Sequence, residues 1–188
     1  MANTSDIRNG LCIEFNKGIY TIVEFQHVKP GKGNAFVRTK LKSITDGRVL
    51  DYTFVAGHKI NVVRVEARQY QYLYSDDMGF HFMNNENYEQ ITLQGEMIDN
   101  TQMLKEGEDL EILMHAKDEY PLQIRLPQYI EVKITYTEPG IRGDTATNAM
   151  KDATVETGAI IKVPLFINEG DVIKVDTKTA QYVERVSK

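Results

Sequence analysis

The sequence predicts an all-β protein made of three small barrels, and three observations carry that expectation. Short runs rich in β-branched and aromatic residues recur along nearly the whole of its 188 residues. Glycine-bearing turns separate them, and a single stretch offers helical spacing. Two boundaries divide the runs. One lies near Arg64/Val65, where a charged strand-like stretch passes into Tyr70-Gln71-Tyr72-Leu73-Tyr74; the other follows Leu126-Pro127, where proline is disfavoured inside a central strand and a new alternating run begins at Tyr129. The expected domains are therefore 1–64, 65–127 and 128–188.

In the first domain, strands are expected over 11–15, 19–28, 35–44 and 49–55, divided by Asn16-Lys17-Gly18, a glycine-rich loop and Thr45-Asp46-Gly47. This suits a small barrel. In the second, 70–74 and 80–83 flank Asp76-Asp77-Met78-Gly79, while Lys117-Asp118-Glu119 separates 110–115 from 122–126. Between these pairs, Met97 and Leu104 stand seven apart across 96–105 with Gly107 placed to end a short helix. Strands, a short helix, then strands point to an OB-type barrel. The third domain repeats the β character over 130–137, 159–167, 172–175 and 182–186, interrupted by a long excursion from Glu138-Pro139-Gly140 to Met150.

The loop in the first domain is Pro30-Gly31-Lys32-Gly33-Asn34. Both flanks read as strands, so the loop is the tip of a projecting hairpin. Glycine on either side of Lys32 permits backbone conformations closed to other residues, and Pro30 stiffens the entry. Lys32 is thus presented rather than buried. A P-loop would need Gly-x-x-x-x-Gly-Lys-Ser/Thr opening a helix, whereas Asn34 follows Gly33 here and the chain continues as a strand, which rejects nucleotide binding. Lys29, Lys32, Arg38, Lys40 and Lys42 place five cations in fourteen residues with no acid among them. On a strand Arg38, Lys40 and Lys42 share one face while Val37, Thr39 and Leu41 share the other, so the cations can line a phosphate backbone as the apolar set packs inward.

Net charge is −5, which by its sum argues against nucleic acid, but its distribution is uneven. Residues 1–64 hold 10 Lys+Arg against 5 Asp+Glu, 65–127 hold 4 against 13, and 128–188 hold 8 against 9. A basic first third beside an acidic middle orients a protein on a charged partner. The aromatics Phe80, Phe82 and Tyr88 of the middle third could stack on bases, but packing in its core is the favoured expectation.

Other chemistries lack a carrier. Cys12 is the only cysteine and sits between Leu11 and Ile13, as a packed strand residue would. His27, His58, His81 and His115 show no paired ligand spacing, so no metal or cofactor is expected, and no nucleophile elbow, HExxH helix or dinucleotide fingerprint occurs. The first residues have no basic-then-apolar leader, and no apolar run approaches the ~18 residues of a membrane span. A cytoplasmic, monomeric, non-enzymatic protein is expected.

Several separated motifs, in order, resemble the bacterial elongation factor P family over the whole chain. They are Pro30-Gly31-Lys32-Gly33 followed by Ala35-Phe36, then His81-Phe82-Met83-Asn84-Asn85-Glu86. Next comes Gly143-Asp144-Thr145-Ala146, followed by Thr157-Gly158-Ala159 through Val163-Pro164-Leu165-Phe166. The last are Gly170-Asp171-Val172-Ile173-Lys174-Val175-Asp176-Thr177 and Tyr182. Departures are local: 147–154 replaces the family's glycine-rich connection into Lys-Pro-Ala-Thr, and Val155 stands where leucine or methionine is usual. The elongation factor P-like proteins often lack the glycine-flanked lysine and the Gly-Asp-Thr loop, both present here, so the main family is favoured.

The resemblance implies a KOW-like, SH3-like barrel followed by two OB folds, in an L-shaped, tRNA-like arrangement. It implies a factor that binds the 70S ribosome between the peptidyl and exit sites, contacts peptidyl-site tRNA and relieves stalling at consecutive prolines. Lys32 would approach the CCA end, in many members after enzymatic extension by a lysine-modifying enzyme. Gly143, Asp144 and Thr145 would face exit-site mRNA, and Tyr182 and Arg185 the small subunit. Two other classes compete: a ribosome-independent single-stranded RNA-binding OB protein, which the acidic middle opposes, and an enzyme using Lys32 in Schiff-base chemistry, for which a glycine-flanked tip lacks a desolvating pocket.

Overall fold

A computed structural model describes residues 2–140 and 149–186. Its strands form three sheets, with short 3-10 turns between some of them, and no α-helix occurs among the described residues.

The first sheet comprises β1 (Ala2–Asn3), β2 (Cys12–Phe15), β3 (Gly18–Val28), β4 (Phe36–Ser43), β5 (Val49–Val55) and β6 (Lys59–Val62), in the order β1-β6-β2-β3-β4-β5. The β2–β3 connection is a two-residue hairpin whose central residues, Asn16 and Lys17, both have positive φ (48° and 64°). That turn follows the right-handed twist of its strands. Ile13, Ile22, Val37, Leu41, Phe54 and Ile60 fill the core of this sheet. β1 and β6 escape the sequence reading, since each is too short for alternation to register.

The second sheet comprises β7 (Val65–Asp76), β8 (Gly79–Asn84), β9 (Gln90–Leu93), β10 (Asp109–His115) and β11 (Tyr120–Arg125), ordered β11-β10-β7-β8-β9. Phe82 is fully buried, with its ring centroid 5.5 Å from that of Tyr72. The third comprises β12 (Tyr129–Thr137), β13 (Met150–Val155), β14 (Ile160–Pro164), β15 (Val172–Asp176) and β16 (Gln181–Arg185), ordered β14-β13-β12-β15-β16. Its core takes every second residue of β12, namely Ile130, Val132 and Ile134, with Val155, Ile161, Val163, Ile173 and Val175. Val155 is buried in this core.

The helix expected over 96–105 is replaced by two 3-10 turns, Gly95–Met97 and Thr101–Met103. Asn100 breaks the run by adopting the left-handed region (φ 56°, ψ 60°). Its side-chain amide donates to the carbonyls of Thr177 (2.8 Å) and Lys178 (2.9 Å). Tertiary hydrogen bonds thus hold a conformation that an α-helix forbids, and Met103 joins the core of the third sheet.

The chain forms two compact units, Met1–Arg68 with Ile112–Gln123, and Gln69–Glu111 with Ile124–Lys188. Within the first, Leu113 and Leu122, from the β10–β11 hairpin, pack with Ile19 and Ile44 into a second apolar cluster. The same hairpin is fastened by a two-pronged ion pair from Arg68 to Glu119, at 2.6 and 3.0 Å. The guanidinium holds the Glu119 carboxyl below its ordinary range, and Glu119 with Glu66 raises the Arg68 pKa.

Candidate nucleic-acid interface

β3 and β4 form a long hairpin in register from Tyr20↔Ser43 to Val28↔Phe36, and residues 29–35 close its end. Lys29, Pro30, Gly31, Lys32, Gly33 and Asn34 are all exposed. Gly33 has φ +104°, a value that side-chain-bearing residues rarely adopt, and a Cβ added at Gly31 or Gly33 would meet nothing within 4 Å. The glycines therefore serve backbone conformation and clearance for an approaching surface, not packing. Lys32 forms no ion pair among the described residues.

Along β4 the alternation is as read from sequence. Val37, Thr39 and Leu41 are buried, Arg38 and Lys42 are exposed, and Lys40 is half-buried. Thr39 resolves its burial by donating its hydroxyl hydrogen to the Tyr52 carbonyl at 2.8 Å. The three cations are not equivalent. A β-bulge between Ile22 and Glu24 shifts the register of β3, so that Glu24 rather than Val23 opposes Lys40. Lys40 Nζ then lies 3.0 Å from Glu24 Oε2, and its β5 neighbour in register is Asp51. The hydrogen bond and charge of Glu24 raise the Lys40 pKa. Arg38 instead faces Gln26 and Thr53 and lies 5.5 Å over the Phe36 ring, while Lys42 faces Thr21 and Val49. Among the described residues neither Arg38 nor Lys42 is in an ion pair. An open depression of about 510 Å³ is lined by Glu24, Phe25, Arg38, Lys40, Asp51 and Tyr52, among others, and mixes both charge signs with two half-exposed rings.

The other expected site residues lie on the third sheet or beyond the described chain. Tyr182 pairs with Val175 and packs half-buried against the sheet's core. Arg185 is exposed but tethered, 3.8 Å from Asp171 and 5.8 Å over the Phe166 ring. Gly143, Asp144 and Thr145 lie outside the described residues.

Among the middle aromatics, Phe82 is buried and Phe80 half-buried, but Tyr88 is 70% exposed, against the expectation that all three pack. Tyr88 lies in the turn between β8 and β9, whose hydrogen bonds to Asn84 set its backbone. Among the described residues, no group of three His, Cys, Asp or Glu side chains is placed to hold a metal ion, and no helix is long and apolar enough to cross a membrane.

Comparison with known proteins matches three stretches of the chain. Residues 3–60 match the family model described as the elongation factor P KOW-like domain, 65–124 the elongation factor P OB domain, and 130–185 elongation factor P, C-terminal. The curated elongation factor P of Flavobacterium psychrophilum is 60% identical over 186 residues, covering 99% of this chain and 100% of the relative. That of Amoebophilus asiaticus is 57% identical, covering 99% and 98%. Among solved structures, translation initiation factor 5A from Methanococcus jannaschii superposes with a TM-score of 0.50 over 65% of this chain and 92% of its own. At 18% identity this likeness speaks for the fold alone.

Proposed function

Because the chain belongs to the elongation factor P family, it is a translation elongation factor and not an enzyme, and we propose that it acts in the cytoplasm as a monomer, on the 70S ribosome, between the peptidyl and exit sites. There it contacts peptidyl-site tRNA and exit-site mRNA and speeds peptide-bond formation at consecutive prolines. Three domains, 1–64, 65–127 and 128–188, share the binding. The observation that carries this reading is the exposed Lys32 between two glycines at the end of a hairpin whose adjoining face bears Arg38 and Lys42.

The chemistry stays with the ribosome. Proline is a conformationally restricted substrate, and consecutive prolines hold the nascent chain away from attack geometry. Restoring that geometry is a positioning effect, and lowering the barrier by about 1.4 kcal/mol raises the rate about tenfold. A few charge-assisted hydrogen bonds from the hairpin to tRNA phosphates have that magnitude. Lys32 acts as the positioner at the CCA end. A lysine-modifying enzyme that lengthens the side chain while keeping a terminal cation extends its reach. Gly143, Asp144 and Thr145 attend to exit-site mRNA, and Tyr182 and Arg185 face the small subunit.

The test pairs toeprinting on a proline-run message with a ribosome-binding assay for Lys32→Ala. Stall relief is expected to be mostly lost while binding, spread over three domains, is largely kept. Parallel loss of both would make the loop an anchor instead. Intact mass of protein from its native host, with peptide fragmentation around Lys32, checks the modification. An unmodified native protein that still relieves stalls would defeat the claim that extension is needed.

A further inference from the structure

The turn between β8 and β9 is built to hold one aromatic ring away from the protein. Tyr88 has φ +61°, a left-handed conformation uncommon for a bulky residue, and is 70% exposed. Its surroundings hold that conformation in place. Asn84 is buried, and its side-chain oxygen accepts the backbone N–H groups of Glu86 (2.8 Å) and Asn87 (3.3 Å). The Tyr88 N–H donates to the Asn84 carbonyl (2.9 Å), the Asn84 N–H to the Glu89 carbonyl (2.9 Å), and the Glu89 N–H to Asn87 Oδ1 (3.0 Å). The Asn85 N–H donates to the Gln69 carbonyl and joins the turn to β7. An outlying conformation that its neighbours hold in place is a recognised mark of a working surface.

The charge around the ring selects the partner. Asn85 Nδ2 donates to Asp109 (2.9 Å) and Gln69 Nε2 to Glu111 (3.2 Å), so these hydrogen bonds bring two carboxylates of β10 to the turn that carries Glu86 and Glu89. None of the four is in an ion pair among the described residues. Residues 69–111 hold ten carboxylates and one cation, Lys105. That ammonium is engaged by the Glu131 carbonyl (2.7 Å) and Glu156 (3.3 Å). Such a field repels phosphate and attracts guanidinium and ammonium groups, which also sit well on a tyrosine face.

We propose that Tyr88 with Glu86, Glu89 and Asp109 is a docking knob for an arginine- or lysine-rich segment of a protein component of the ribosome. This rests on the ribosome reading above, and it divides the labour: the basic hairpin takes RNA, the acidic turn takes protein.

Full-length protein carrying a benzophenone side chain at position 88 (Tyr88→p-benzoylphenylalanine) is irradiated on 70S ribosomes, beside the same label at position 29 (Lys29→p-benzoylphenylalanine). Cross-linking of position 88 to a basic stretch of protein is expected; cross-linking to RNA alone overturns the inference. A productive label at 29 with a silent one at 88 also overturns it and leaves the ribosome reading standing. If neither label reaches the particle, that reading falls and this inference with it. Tyr88→Gly, which accepts the same φ without strain, is expected to bind ribosomes about two- to fivefold more weakly, the worth of one exposed cation–π contact, with an unfolding midpoint no lower than wild type. Unchanged binding would overturn the proposal.

Discussion

Salt titration of ribosome binding for Arg38→Gln, Lys40→Gln and Lys42→Gln, singly and together, tests the basic face most directly. Each cation that neutralises a phosphate releases counterions, and the slope of log K against log salt falls by about 0.7 per contact on single strands and about 0.9 on duplex. Counted from the sequence, three cations would remove about 2.1 to 2.7 from the slope on that scale. The structure lowers this number. Lys40 is already 3.0 Å from Glu24, so a phosphate would compete with a carboxylate for the same ammonium. Arg38 and Lys42 have no acid as a cross-strand neighbour. The triple variant is therefore expected to flatten the slope by about 1.4 to 1.8, most of it from Arg38 and Lys42, with Lys40→Gln changing it little. Equal contributions from all three would refute the compensation argument. A wild-type slope in the triple variant would return the face to a solvated strand and move the RNA contact elsewhere.

Two further outcomes are expected. Gly33→Ala forces a side chain into φ +104° and should cost about 1 kcal/mol or more if the loop holds its shape; since nothing lies within 4 Å to clash, the loop will relax instead, so stall relief measured by toeprinting should fall with little change in thermal midpoint, and full activity would show that the tip conformation is irrelevant. In acid, Glu119, whose folded pKa is depressed by the Arg68 hydrogen bonds, contributes stability that is present above its unfolded value and lost as pH falls through the folded one. Asp46, Asp76 and Asp176 are depressed in the same sense, by hydrogen bonds from Ser43, His81 and Thr179 respectively. The urea midpoint should therefore decline below about pH 4. Glu119→Gln should be less stable at neutral pH and decline less steeply, and parallel curves for the two proteins would contradict the assignment.

What could be read along the chain was governed by local periodicity. The alternation on β4 set the inward and outward sets because a strand's side chains reverse at every residue whatever its neighbours do. The divider Asn16-Lys17-Gly18 and the glycine-flanked lysine were legible from their turn-forming residues, although Gly18 opens β3 and the positive φ values fall on Asn16 and Lys17. The short strands β6, β9 and β13 were not, since four to six residues without a clear turn on both sides carry too little pattern.

Three features came only with the fold. The bulge in β3 decided that Lys40 meets Glu24, sixteen residues away, and so reduced the free basic face from three cations to two. The carbonyls of Thr177 and Lys178 turned the expected helix into two 3-10 turns by capturing the Asn100 amide. Buried Asn84 turned Tyr88 outward, although an aromatic between strands reads as core. By itself the sequence determined an all-β chain with a presented lysine, a basic first third and an acidic middle. Which charges remain unpaired, and which ring faces outward, were decided by register and by hydrogen bonds between residues distant in the chain, because those depend on which strands become neighbours and not on any window of sequence.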